Sequence, residues 1–161
     1  MLPPPALLLV IPIPALIAAA FGLRSSLVMA AGLVGAVAHM IIAMAWPSEI
    51  GEPYADTYYV VGYIAFVQSL VVVTFFLLVA QAIKERLGHE DRRTTLVLFA
   101  MVLLGGTTSV LPLTIRPPAT DGWATGLAEI AAYIFMAGLI GVYLILVGWR
   151  YSTPKPRDPM A

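Results

Sequence analysis

Apolar residues run along this chain in long blocks, separated by short polar stretches. Five blocks stand out, at residues 7–23, 27–46, 60–83, 96–115 and 124–149. A bilayer core about 30 Å thick is crossed by about 20 apolar residues of α-helix. Helices suit that setting because they satisfy their own backbone donors and acceptors in hydrocarbon. The pattern therefore predicts an all-α integral membrane protein, a bundle of about five transmembrane helices. Trp46, Tyr58, Tyr59, Trp149 and Tyr151 sit at block ends, where rings that are apolar on one side and wet on the other belong. Pro47 closes the second block, and Arg116-Pro117-Pro118 closes the fourth.

The first block is unusual. It follows Pro3-Pro4-Pro5 and contains Pro12 and Pro14, each of which removes a backbone donor and favours a kink. It reads as a Pro-kinked span, with a re-entrant hairpin as the alternative. Ala18-Ala19-Ala20 would suit a signal-peptide cleavage site, but the positively charged segment that precedes such sites is missing.

Loop charge gives the orientation. Arg24, then Lys84, Arg86, Arg92 and Arg93, then Arg150, Lys155 and Arg157 fall in alternate connections on one side. Arg116 alone falls on the other, beside Glu49, Glu52, Asp56 and Asp121. The positive-inside rule then predicts N-out/C-in in the cytoplasmic (inner) membrane, multi-pass. Residues 1–151 form the bundle, and residues 152–161 a cytoplasmic tail rich in Pro and charge.

Composition agrees and excludes. With 60% hydrophobic and 11% charged residues, the chain falls far below the roughly 25% charge of soluble domains. Nine basic and nine acidic residues cancel, leaving no bulk charge for nucleic acid. No cysteine is present, which removes disulfides, thiolate metal sites and cysteine nucleophiles. There is no phosphate loop, no HExxH and no GxSxG elbow.

Polar side chains inside the blocks are costly, about 2.5–3.5 kcal/mol for a charge at mid-membrane. At a rise of about 1.5 Å per residue, His39 lies about 10 Å from the outer end of its block and Gln68 about 12 Å. Thr107, Thr108 and Ser109 lie about 9–12 Å deep, and Glu129 about 8 Å, with Tyr133 one turn further on. Four blocks thus place polar groups at one depth in the outer half, whereas the inner half looks nearly bare. The expected site is a pocket open outward. In it His39 accepts a proton or a ligand, Glu129 donates a proton or serves as counter-ion, and Gln68 and Tyr133 orient. Hydrogen bonding between neighbouring helices is the competing explanation.

A neutral imidazole in mid-helix also suits an axial bond to haem iron. A bis-histidine haem needs a second intramembrane histidine, and His89 lies in the charged connection KERLGHEDRR, so that arrangement is not expected within this chain. The stretch GAVAHMIIAMAWP around His39 resembles the Ala-His, Trp and Pro pattern of purple-bacterial antenna polypeptides over about a dozen residues. The resemblance implies a bacteriochlorophyll on His39, although the Trp spacing differs and antenna chains cross the membrane once.

Small residues one turn apart, at Ala31/Gly35, Gly32/Ala36, Ala128/Ala132 and Ala137/Gly141, predict close helix packing. Gly105-Gly106 permits a bend or an unwound turn. The charges of KERLGHEDRR alternate in sign, so that connection reads as a solvated, self-compensated turn. Three readings follow. The first is a small subunit of a larger, energy-converting membrane complex, helping to enclose a hydrophobic cofactor such as quinone or tetrapyrrole. Its partners would be the lipid bilayer and other membrane subunits or further copies of the chain. The second is an intramembrane enzyme acting on a lipid or isoprenoid, with Glu129 and His39 as acid–base pair. The third is an oligomeric small-solute transporter using the Gly105-Gly106 break.

Overall fold

The computed structural model describes residues 5–45, 56–88, 92–111 and 122–151, and these are all-helical. A 3-10 turn, Pro5–Val10, leads into α1, Ile13–Ala20. Then come α2 (Ser25–Ala45), α3 (Asp56–Arg86), α4 (Arg92–Ser109) and α5 (Gly122–Tyr151). Three stretches are long and apolar enough to cross a membrane: Ser25–Ala45, Tyr63–Arg86 and Gly126–Ile145. Among the described residues there are thus five α-helices, three of them with a stretch long and apolar enough to span a membrane. The first block is divided by Pro12 into the 3-10 turn and the eight-residue α1. α4 begins with Arg92, Arg93, Thr94 and Thr95, so its 18 residues hold too short an apolar run. Trp46, Pro47, His89, Arg116-Pro117-Pro118 and the tail at 152–161 lie outside the described residues.

Buried positions recur every three or four residues, the period that puts one stripe of a helix against its neighbours. On α3 the stripe is Tyr63, Val67, Leu70, Thr74, Leu77, Gln81 and Lys84. On α2 it runs Ser25, Val28, Met29, Gly32, Gly35, Ala36 and His39. These two helices pack against each other, α1 packs on α2, and α4 packs along α5. α4 and α5 run antiparallel, since Gly105 faces Ala131 and Phe135, whereas Leu98 faces Gly141. A Cβ on Gly105 would stand 2.8 Å from the Phe135 backbone nitrogen, so the α4–α5 crossing is a backbone-to-backbone contact. Phe99 joins the two helix pairs: its ring lies over Gly32 of α2 and is 2% exposed. Phe66 and Phe135 add a tilted ring pair, centroids 6.0 Å apart.

Turns follow from backbone chemistry. Gly22, at φ 71, ends α1 in the left-handed conformation; Leu23 N–H bonds the Ala18 carbonyl and Gly22 N–H the Ala19 carbonyl. That double bond is the Schellman closure, which caps orphan carbonyls and turns the chain back toward α2.

Gly35 fixes where the N-terminal segment lies. A Cβ there would meet the Ile11 carbonyl oxygen, with the Val10 carbonyl oxygen at 2.7 Å. Pro14 has no N–H to return to Val10, so the break exposes backbone that a glycine surface accommodates. Gly35→Ala is therefore expected to destabilise the protein by about 1–3 kcal/mol, as overpacking against backbone does. Gly126→Ala, where no atom lies within 4 Å of the new Cβ, is expected to be neutral or to stabilise by up to about 1 kcal/mol. Denaturant unfolding of both variants in micelles checks the contrast.

Candidate functional site

His39 is fully buried on α2, one turn beyond Gly35. Its Nδ1 lies 2.8 Å from the Leu7 carbonyl oxygen. A carbonyl can only accept, so Nδ1 carries the proton. The other ring nitrogen, Nε2, then accepts from the Tyr63 hydroxyl, which is also fully buried. The rings meet edge-on, centroids 5.9 Å apart at 65°. One imidazole thus joins the 3-10 turn, α2 and α3. With both nitrogens engaged inside the chain, this geometry leaves neither for an axial bond to a tetrapyrrole metal.

A second polar cluster lies at the other end of the α2–α3 pair. Glu85 reaches from the last turn of α3 to the first turn of α2. Its Oε1 accepts the Ser26 backbone N–H at 2.8 Å, and its Oε2 accepts the Ser26 hydroxyl at 2.6 Å. Gln81 Nε2 donates to Oε1 at 3.2 Å, and Arg24 adds a favourable charge–charge interaction. A carboxylate at a helix N-terminus satisfies orphan donors and meets the positive end of the dipole. Lys84 lies beside this cluster, 5% exposed. The beginning of KERLGHEDRR is therefore packed rather than solvated: it is the end of α3, with Lys84 and Gln81 on the buried stripe. This half of the bundle, expected to be nearly bare of polar groups, is correspondingly less bare than the residue spacing implied.

The other expected site residues separate. Gln68 is exposed on α3, and Glu129 and Tyr133 are exposed on α5, Tyr133 at 77%. None of the three hydrogen-bonds His39 among the described residues, so within one chain the polar layer does not close into a pocket. Thr107 is buried but donates to the Leu103 carbonyl of its own helix at 2.6 Å. Ser109 likewise donates to Gly106, and α4 stays helical through Gly105-Gly106. Tyr63, Ser26 and Glu85 are the partners that spacing did not identify. Tyr63 sits three residues into the third block, shallower than His39, and only the length of a phenol brings the two depths together.

No protein-family model, curated protein or solved structure matches the chain.

Removing the Tyr63 hydroxyl leaves Nε2 unpaired, and removing the imidazole also strips the Leu7 carbonyl of its donor. A double-mutant cycle with Tyr63→Phe and His39→Leu in micelles is expected to give a coupling of about 1 kcal/mol, typical of interhelical hydrogen bonds in membranes. Histidine nitrogen chemical shifts should report the proton on Nδ1.

Proposed function

We propose that the chain is a small, non-catalytic subunit of a larger membrane complex, in energy conversion. In this reading α5 presents its outer face to a helix of a neighbouring subunit, and the two enclose a hydrophobic cofactor, a quinone or tetrapyrrole. The observation that carries the proposal is the outward face of α5. Only 11% of the span Gly126–Ile145 is buried by the rest of the chain, against 33% for Ser25–Ala45 and 28% for Tyr63–Arg86. That open face holds Glu129 and, one turn on, Tyr133, with Ala132 between them. A carboxylate on a lipid-facing surface is costly, whereas against a polar group of a partner helix it is satisfied. A small residue such as Ala132 lets the partner backbone approach. The cofactor then falls at the interface with the partner, where Glu129 and Tyr133 are available, rather than at His39, whose nitrogens are occupied.

The test is gentle solubilisation from the native membrane, followed by a native gel, an absorption spectrum and mass spectrometry of the lipid extract. Wild type should migrate with other polypeptides, well above its own 17.2 kDa, and carry a pigment or quinone. Glu129→Leu should migrate as the free chain and lose the cofactor while keeping its fold. His39→Leu should lower stability yet retain the cofactor. A wild-type protein that runs alone and carries neither pigment nor quinone overturns the proposal.

A further inference from the structure

Between the α2–α3 pair and the α4–α5 pair, at the end where α3 stops and α4 starts, the helices leave a shallow, open-mouthed cleft. Its walls are apolar: Met29, Leu77, Leu98, Val142 and Ile145. Its polar lining comes from Gln81, Lys84 and Thr95, each 6% exposed or less. Lys84 makes no hydrogen bond or ion pair among the described residues. Its stem is covered by the bundle while its ammonium reaches the cleft mouth, where a lysine ordinarily meets water or a counter-charge. The nearby carboxylate, Glu85, is already taken by Ser26 and Gln81. Thr95 stands in the first turn of α4, the positive end of that helix, and Arg92 and Arg93 begin the same turn. Among the described residues, charge at this end is therefore predominantly positive, and the space beside it is greasy.

We propose that this cleft binds one anionic phospholipid from the adjoining leaflet. The head-group phosphate sits against the Lys84 ammonium and the Thr95 hydroxyl, and one acyl chain lies along Leu77, Met29 and Val142. A phosphate supplies a counter-charge, and three acceptor oxygens suit a lysine and a hydroxyl together. The apolar walls specify a lipid rather than a free ion, since a small anion would leave them uncovered. The site is independent of the α5 face discussed above. Glu129 and Ile145 are about 24 Å apart along the helix, so either reading can fail without the other.

The experiment is native mass spectrometry of the full chain, released from micelles after reconstitution with equimolar phosphatidylglycerol and phosphatidylcholine. A parallel sample in detergent alone receives inorganic phosphate. The expected result is one retained phosphatidylglycerol per chain, preferred at least tenfold over phosphatidylcholine, and no retained inorganic phosphate. Lys84→Met should abolish the preference, and because Lys84 holds no partner among the described residues it should not lower the unfolding transition. Ala80→Phe, which fills the cleft and leaves the charge in place, should also lose the lipid. Equal retention of the two phospholipids by wild type overturns the proposal, as does an undiminished preference in either folded variant. Retention of inorganic phosphate as tight as that of the lipid overturns the lipid assignment.

Discussion

The architecture turns on what a proline break demands inside an apolar bundle. Pro12 and Pro14 take donors out of the N-terminal segment, and the apolar side chains packed around it offer none to replace them. The chain answers with α2. Gly35 lets the Val10 and Ile11 carbonyls lie against helix backbone, and His39, one turn away, donates to the Leu7 carbonyl. The imidazole has a second nitrogen that must also be satisfied, and Tyr63 supplies that bond from α3. The need for one donor thus determines the residue on α2, its tautomer, and the face that α3 presents.

The α2–α3 pair is braced by polar contacts at both ends and is largely apolar between them. His39 with Tyr63 holds one end, and Ser26 with Glu85 holds the other. Between them, Thr74 is a buried hydroxyl without a hydrogen-bond partner among the described residues, on the same stripe as Val67, Leu70 and Leu77. Contacts at the two ends fix both the antiparallel sense and the register, because a shift of one residue would break either. The α4–α5 pair is joined differently, through glycine and backbone contact. It meets the first pair where Phe99 covers Gly32, where Leu70 faces Gly106 and where Phe66 meets Phe135. Two pairs made by different means and meeting along a limited seam leave space between them, and the cleft beside Lys84 occupies it.

Much of this was legible in the sequence. Block lengths gave the helices, and of the small residues expected to pack closely Gly32, Gly35, Ala36 and Gly141 do lie at helix contacts, whereas Ala132 and Ala137 face outward. Gly105, expected to permit a bend, is instead a packing residue. The division of the first block at Pro12 followed from ring chemistry alone. Depth along a helix, however, says nothing of azimuth. His39, Gln68 and Glu129 share a depth, yet His39 faces the interior and the other two face outward. Tyr63 was hidden because aromatic residues near a block end also serve as interfacial anchors. Glu85 and Lys84 were hidden for a related reason. An alternating charge run is ordinarily solvated, and only the three-dimensional meeting of α3 with the start of α2 draws Glu85 to Ser26 and Lys84 into the bundle.

The sequence separation of the two α2–α3 contacts carries a consequence for biogenesis. His39 and Tyr63 close a loop of 24 residues, whereas Ser26 and Glu85 close one of 59. Loop-closure entropy rises with the logarithm of length, and the nearer pair also leaves the ribosome first. The hairpin therefore zips from its His39 end, and the N-terminal segment can dock on α2 while α4 and α5 have yet to be made. The most awkward piece of backbone in the protein is sheltered early, before the second helix pair arrives to cover Gly32.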